Sequence, residues 1–130
     1  AACAGGARVR RAHPPAAAPD RVLRRRAARI FARPTRREAL REAYLDALVG
    51  LGDCSSARSD CRGAIDIYRR ALKVDPYRED INRAIMTCYH HLGEKKQIIK
   101  HMNKFRELLQ RDLGVEPSEE TLALVRNLLD

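Results

Sequence analysis

The residues best suited to metal chemistry lie close together in the second half of the chain. Cys88, His90 and His91 fall within four positions, and His101 follows further on. Thiolate and imidazole are ligands that zinc prefers, but a structural site needs four ligands at suitable spacing. Cys88 and His91 share a helical face, yet Cys88 occupies an apolar position and no fourth ligand has a supporting spacing. The sequence therefore predicts no metal site and no cofactor.

Covalent and phosphate chemistry have no support in the sequence either. It contains no G-x-S-x-G nucleophile elbow, no G-x-x-x-x-G-K phosphate loop and no nucleotide-binding fingerprint. The acidic pair Glu119-Glu120 is explained by the helix start that it occupies. We therefore expect a protein that acts by binding, with no catalytic residue.

The net charge of +9 is unevenly distributed. Residues 1–41 hold twelve arginines and two acids, whereas residues 42–130 hold 14 lysines or arginines and 15 acids. The excess lies in a leader of Ala, Gly, Pro and Arg with little to bury, whereas a nucleic-acid groove needs basic residues on a folded surface. No apolar stretch reaches the ~18 residues of a membrane span, and no secretory signal is evident. A cytoplasmic location without membrane contact is expected.

Helical periodicity dominates the chain, and no segment reads as a strand. Residues 1–33 are expected to be a linker or leader with a helix over residues 20–33, and the folded domain is expected over residues 34–130. Thr35 and Glu38 form a capping box that begins the first helix of this domain. Gly50 and Gly52 weaken this helix, so the sequence does not determine the residue at which it ends. Its apolar face is predicted to comprise Leu40, Tyr44, Ala47, Leu48 and Leu51.

Turn signals divide the rest into four helices. A helix over residues 60–74 is followed by Asp75 and Pro76, which suit the N-cap and first position of the next helix. Gly93 and Gly114 are each predicted to end a helix in the left-handed conformation. At Gly114 we expect a Schellman turn in which Val115 makes the apolar contact. Ser118 is expected to cap the last helix. The predicted core positions are Cys61, Ala64, Ile65, Tyr68, Leu72, Ile81, Ala84, Ile85, Cys88, Tyr89, Leu92, Ile98, Ile99, Met102, Phe105, Leu108, Leu109, Leu113, Leu122, Val125, Leu128 and Leu129.

Short loops between successive helices imply antiparallel neighbours, so the expected fold is all-α. Residues 48–76 resemble a tetratricopeptide repeat, with Ser59 standing where the repeat usually has a glycine. The resemblance implies helix hairpins stacked as a tetratricopeptide-like right-handed superhelix. Its matching positions are Leu51, Gly52, Ala64, Tyr68, Ala71 and Pro76.

Two further pieces narrow the resemblance. Residues 75–79 read DPYRE and residues 113–118 read LGVEPS. Together with their surroundings they closely resemble the bacterial transcriptional activator domain of regulators of the Streptomyces antibiotic regulatory protein type. That family implies a regulatory protein-interaction or oligomerisation domain that follows a winged-helix DNA-binding domain. No winged helix is recognisable here, so DNA contact is expected only through a domain absent from this chain.

The candidate contact surface is a polar stripe on the helix after Pro76, because the first helix of each hairpin lines the concave face of such stacks. Arg83 is its most promising member, since a guanidinium suits a carboxylate partner. The expected partners are proteins, either the transcription machinery or the regulator's own DNA-binding domain. If the helix at residues 20–33 does not cap the stack, a second copy would, which predicts a homodimer. The stripe comprises Asp80, Arg83, Thr87 and His90.

Other interpretations stay open. A stand-alone tetratricopeptide-like peptide-binding scaffold, unrelated to transcription, would use the same stripe. Nucleic-acid binding through the leader is the least favoured hypothesis. Two clusters of basic residues either face solvent or attract a polyanion. The clusters are Arg69, Arg70 and Lys73 on one helix, and Lys95, Lys96, Lys100 and Lys104 on another.

Overall fold

The computed structural model describes residues 33–130, which form α-helices joined by short turns. The predicted helix at residues 20–33 lies outside this part except for Arg33. Within residues 33–130, each helix is too short or too polar to traverse a lipid bilayer. The helices are α1 (Arg36–Ala57), α2 (Cys61–Val74), α3 (Glu79–His91), α4 (Lys95–Leu113) and α5 (Glu119–Leu129).

The first helix begins as predicted and continues past its two glycines. The Thr35 hydroxyl accepts from the Glu38 amide at 3.1 Å, and the Glu38 carboxylate accepts from the Thr35 amide at 3.2 Å. This reciprocal pair is a complete capping box. The helix then runs through Gly50 and Gly52 to Ala57, so the sequence that follows the glycines is helical and not a loop.

The predicted apolar face of α1 was wrong except at Leu48. Leu40, Tyr44 and Leu51 are 62%, 52% and 57% exposed, and Ala47 is exposed as well. The helix has apolar residues on two faces, and packing selects the one that contains a glycine. Gly52 lies so close to the ring of Tyr68 on α2 that a methyl group there would overlap it. The buried residues of α1 are Leu45, Leu48, Gly52 and Ser55.

The start of α3 also differs from the prediction. The helix begins at Glu79, and Arg78 at its N-cap position makes no side-chain capping bond. Asp75 instead accepts from the amide of Tyr77 at 3.2 Å, which forms a local Asx turn. Asp75 and Pro76 therefore shape the turn before α3 and are not its N-cap and first residue.

Schellman turns end α1 and α3 but not α4. At Ser59 (φ 64°) and Gly93 (φ 73°) the chain turns left-handed, and the next amide reaches back to the fifth residue before it. Gly114 (φ 65°) ends α4 with its amide bonded to the carbonyl of Gln110 at 3.1 Å, and the amide of Val115 reaches the carbonyl of Leu109, six residues back, at 3.4 Å. The amide of Val115 does not bond to the fifth residue before it, so the predicted Schellman turn at Gly114 was wrong, and Val115 is 46% exposed.

Contacts between helix ends define the packing. Arg41 at the start of α1 donates to the carbonyl of Val74 at the end of α2 at 2.6 Å, so these helices are antiparallel. Arg62 at the start of α2 likewise meets Glu94 just after α3 at 3.2 Å. The last helix packs on α3 and α4, with Lys95 donating to the carbonyl of Leu129 at 3.4 Å. The predicted all-α fold of stacked antiparallel hairpins is confirmed.

The core is built from the inward faces of all five helices. Most positions predicted from periodicity on α2 to α5 are buried, but Ile99 and Leu113 are 47% and 53% exposed. Met86 was not predicted and is fully buried, as is Thr121. The fully buried large side chains are Leu45, Ile81, Ile85, Met86, Cys88, Ile98 and Thr121.

Candidate functional site

The predicted stripe lies on α3, but its members have different surroundings. Asp80 receives two hydrogen bonds from the guanidinium of Arg78, at 2.9 and 2.7 Å, and these bonds hold the pKa of Asp80 below its usual value. Thr87 donates to the backbone carbonyl of Arg83 at 3.0 Å. His90 is exposed. Asp80 and His90 thus face solvent, whereas Thr87 is bonded within its own helix.

Arg83 points toward α5. Its Nη1 donates to the hydroxyl of Thr121 at 3.0 Å and lies 3.9 Å from a carboxylate oxygen of Glu79. Its Nη2 lies 3.8 Å from Glu120. Only 22% of the side chain is exposed, so this guanidinium already has carboxylate and hydroxyl partners within the chain. That the stripe contacts a partner protein stays a prediction.

The contact between α3 and α5 centres on the first residue of α3. The carboxylate of Glu79 accepts from the amide of Ser118 at 3.1 Å and from its hydroxyl at 2.8 Å. It also accepts from the hydroxyl of Thr121. Burial raises the pKa of Glu79, but bonds from Thr121 and Ser118 and the nearby charge of Arg83 outweigh burial and leave the pKa lowered. An ionised Glu79 therefore holds the N-terminus of α5 against α3.

A second bond joins the same two stretches of chain. The hydroxyl of Tyr77 donates to Asp112 at 2.9 Å, and this bond raises the pKa of Tyr77. The residues 75–79 and 113–118 quoted above therefore meet in space through Glu79 and Ser118, with Tyr77 and Asp112 beside them. The two pieces occur together in the sequence, and this joint occurrence was the signal that could have indicated the contact.

The two predicted basic clusters contribute to a shared hollow between α2 and α4. Arg69 comes from α2, and Lys100 and Lys104 come from α4. Tyr89 of α3 and His101 also line this hollow, whose volume is about 230 Å³. The remaining basic residues of both clusters, Arg70, Lys73, Lys95 and Lys96, do not line it.

The cysteine and histidine residues within positions 33–130 do not assemble into a metal-binding group. The thiols of Cys54, Cys61 and Cys88 are free. Burial, the largest effect, raises the pKa of Cys88, which disfavours the thiolate that a metal or an electrophile would need. Cys88 is 2% exposed and packs as a small apolar residue.

Stacked antiparallel hairpins, with the last helix held by the partly buried carboxylate of Glu79, define a helical-repeat domain. The model of one protein family, the bacterial transcriptional activator domain, matches residues 20–129. The chain belongs to this family, and it is therefore a domain associated with transcription regulation. No curated protein matches the chain, and no solved structure matches it.

Proposed function

We propose that this domain is the regulatory protein-interaction and oligomerisation module of a bacterial transcription activator, and that it acts by binding and not by catalysis. In this proposal the partners are the transcription machinery or the regulator's own DNA-binding domain. DNA is contacted only by another domain. The observation that carries the proposal is the family match over residues 20–129, which spans every described helix.

The polar stripe on α3 is the partner surface in this proposal. Asp80 and His90 are its exposed members. Arg83 contributes by fixing α5 beside α3 through Thr121. The surface is thus held between two elements of a packed scaffold, and a partner would meet it already ordered, which reduces the entropy lost on binding.

The alternative is a peptide-binding scaffold without a link to transcription. Both hypotheses use the same fold, but they differ in what recruitment to a promoter would do. A domain that contacts the transcription machinery should raise transcription when it is carried to a promoter by an unrelated DNA-binding domain. A peptide scaffold should not.

The experiment is a reporter assay in bacteria. Residues 1–130 are fused to a heterologous DNA-binding domain whose operator lies upstream of a weak promoter. We expect transcription above that given by the DNA-binding domain alone, and a reduced response in the double variant Asp80→Ala/His90→Ala. The matched control, Asn103→Ala/Gln110→Ala, changes two exposed polar residues on α4 and should leave the response intact.

An unchanged reporter signal from a fusion that is expressed and helical by circular dichroism would contradict contact between this domain and the transcription machinery. Oligomerisation is tested separately by sedimentation of residues 1–130. A concentration-dependent dimer is expected, and a monomer at high concentration would remove that part of the proposal.

A further inference from the structure

A depression between α2 and α4 consists of three hollows that share lining residues, and α3 contributes a side chain to each of them. Its central hollow is lined by Arg69, Tyr89, His101 and the lysines Lys100 and Lys104, together with Gln97. A smaller hollow of about 180 Å³ adjoins it at Arg69 and Tyr89. A larger one of about 340 Å³ adjoins it at His101 and Lys104. These three hollows are called the α2–α4 groove below.

The centre of the groove is positively charged. Arg69, Lys100 and Lys104 line the central hollow, and no carboxylate does. Among the described residues, neither lysine has a carboxylate oxygen within ion-pair distance. Arg69 approaches only Asp66, at 4.0 Å, and both of these side chains are largely exposed. The hollow therefore presents cationic groups with spare capacity for an anion.

One polar group on the floor, the hydroxyl of Tyr89, can donate to an anion as well. Arg69 donates to the hydroxyl of Tyr89, which leaves the hydroxyl hydrogen free to donate. His101 shares a 2.7 Å hydrogen bond with Asn82. Burial lowers the pKa of His101 to about 4, with further lowering from the charges of Arg69 and Lys104. The side-chain nitrogen of Asn82 donates to the carbonyls of Pro76 and Arg78, so its oxygen faces His101 and accepts from Nε2–H of the neutral imidazole.

The larger hollow differs from the centre because apolar side chains line it. Leu72, Phe105 and Leu108 contribute there, with Pro76. Its charged lining residues, Lys104, Glu107 and Arg111, include one acid. Single-stranded nucleic acid would need a basic track with exposed aromatic rings for stacking, whereas Tyr89 and Phe105 are 6% and 3% exposed. An apolar hollow next to a cationic one instead suits a peptide.

We propose that the α2–α4 groove binds an acidic peptide segment of a partner protein, with a carboxylate between Arg69, Lys100 and Lys104 and an apolar side chain against the half-buried Leu72 and Leu108. Asn82 and Tyr89 lie on a different side of α3 from the stripe that contains Arg83. The groove is therefore a second docking surface, separate from the one under "Proposed function". The positive charge at its centre selects an acidic residue of the peptide, and the apolar side chains at one end select an apolar residue.

The test uses residues 1–130 and a fluorescein-labelled peptide of alternating glutamates and leucines, followed by fluorescence anisotropy. Three comparison probes separate the effects of peptide charge, of apolar side chains and of negative charge in general. They are a glutamine–leucine peptide, a glutamate–serine peptide and a thymidine oligonucleotide. We expect the glutamate–leucine peptide to bind tightest, because only it has both the charge and the apolar side chains. The double variant Lys100→Glu/Lys104→Glu should weaken it by about tenfold or more, since like charges then face the carboxylates.

The matched control is Arg70→Glu/Lys96→Glu, which makes the same change in net charge at exposed positions outside the groove. It should leave affinity within about twofold if the contact is local and not a general attraction. Circular dichroism verifies that both variants are folded. Equal losses in the two variants, or an oligonucleotide that binds as well as the peptide, would overturn the proposal.

A direct readout comes from His101. A carboxylate bound beside Arg69 and Lys104 offsets the charges that disfavour the imidazolium. Saturation with the glutamate–leucine peptide should therefore raise the midpoint of the His101 proton resonance in an NMR pH titration, and His90 and His91 on the exposed end of α3 serve as internal controls. An unchanged His101 midpoint in the presence of bound peptide would place the peptide elsewhere and contradict the proposed site.

Discussion

The carboxylate of Glu79 accepts hydrogen bonds from both the amide and the hydroxyl of Ser118, although the two residues are 39 positions apart. Ser118 also caps α5 by accepting from the amide of Thr121 at 3.4 Å. One side chain at the start of α3 thus fixes the residue that begins α5, so the N-termini of the two helices lie side by side. The carboxylate of Glu79 thus lies close to the positive ends of both helices.

Removing that charge should loosen α5. Glu79→Ala is expected to lower the free energy of unfolding by about 1–3 kcal/mol, because it leaves the Ser118 and Thr121 donors without their acceptor. Urea denaturation measures the change, and faster tryptic cleavage at Arg126 in α5 reports the local effect. Glu120→Ala is the control, since Glu120 is 77% exposed and its loss should change stability by less than about 0.5 kcal/mol. Similar effects of both changes would show that the bonds contribute little.

The two glycines of α1 should respond in opposite directions to alanine. A methyl group at Gly50 meets nothing within 4 Å, so Gly50→Ala should raise the free energy of unfolding by about 0.5–1 kcal/mol through helix propensity. A methyl group at Gly52 would lie 2.4 Å from the Tyr68 ring, so Gly52→Ala should lower it by about 1–3 kcal/mol. Thermal and urea unfolding of the two variants and the parent checks the direction of each change in the free energy of unfolding. Stabilisation by Gly52→Ala would contradict the close approach of α1 and α2.

Ser59 occupies a left-handed position that favours glycine. Its φ of 64° carries a steric cost for a side chain, so Ser59→Gly should raise the free energy of unfolding by up to about 1 kcal/mol. The Schellman bonds involve only backbone atoms at this residue and are kept. The matched reverse change, Gly93→Ser at φ 73°, should be destabilising by a similar amount. Equal midpoints for Ser59→Gly and the parent in urea would show that the turn is not strained.

The buried imidazole of His101 predicts a pH dependence of stability. Its pKa falls from 6.5 to about 4 in the folded protein, so between these values the unfolded chain binds the additional proton. Stability is therefore fully present above about pH 6.5 and is lost as the pH falls toward 4, by about 1–3 kcal/mol. The charged groups near the imidazole that contribute to this lowering are Arg69 and Lys104.

His101→Gln is the comparison, because it keeps an amide donor near Asn82 but does not titrate. The difference in the free energy of unfolding between parent and variant should shrink by the stated amount as the pH is lowered. Urea denaturation at several pH values measures it, and the carboxylates common to both proteins cancel in the difference. Curves that run parallel across this range would contradict the lowered pKa.

The sequence was sufficient for the fold class because the signals for it are local. Periodic apolar residues, the Thr35 capping box and the Gly93 stop all act within a few residues and were confirmed. The face of α1 could not be predicted, because its apolar residues lie on two sides and only contact with Tyr68 decides between them. Periodicity cannot choose between two apolar stripes on one helix.

In the candidate site, too, the local features could be predicted from the sequence and the contacts between helices could not. The stripe followed from spacing on one helix, but spacing carries no information about a neighbour 38 positions away, so the bond from Arg83 to Thr121 was missed. For the same reason the sequence indicated each basic cluster on its own helix but not that the two clusters lie close together. Only the packing of α2 and α4 on α3 shows that Arg69 shares a hollow with Lys100 and Lys104.

The Glu79 contact also has a consequence for cooperativity. An isolated helix of 11 residues is too short to persist in water, so α5 depends on its packing against α3 and α4. The amides of α5 should therefore exchange with deuterium only through openings that also break the Glu79 bonds, and the two helices should behave as one foldon although α4 separates them along the chain.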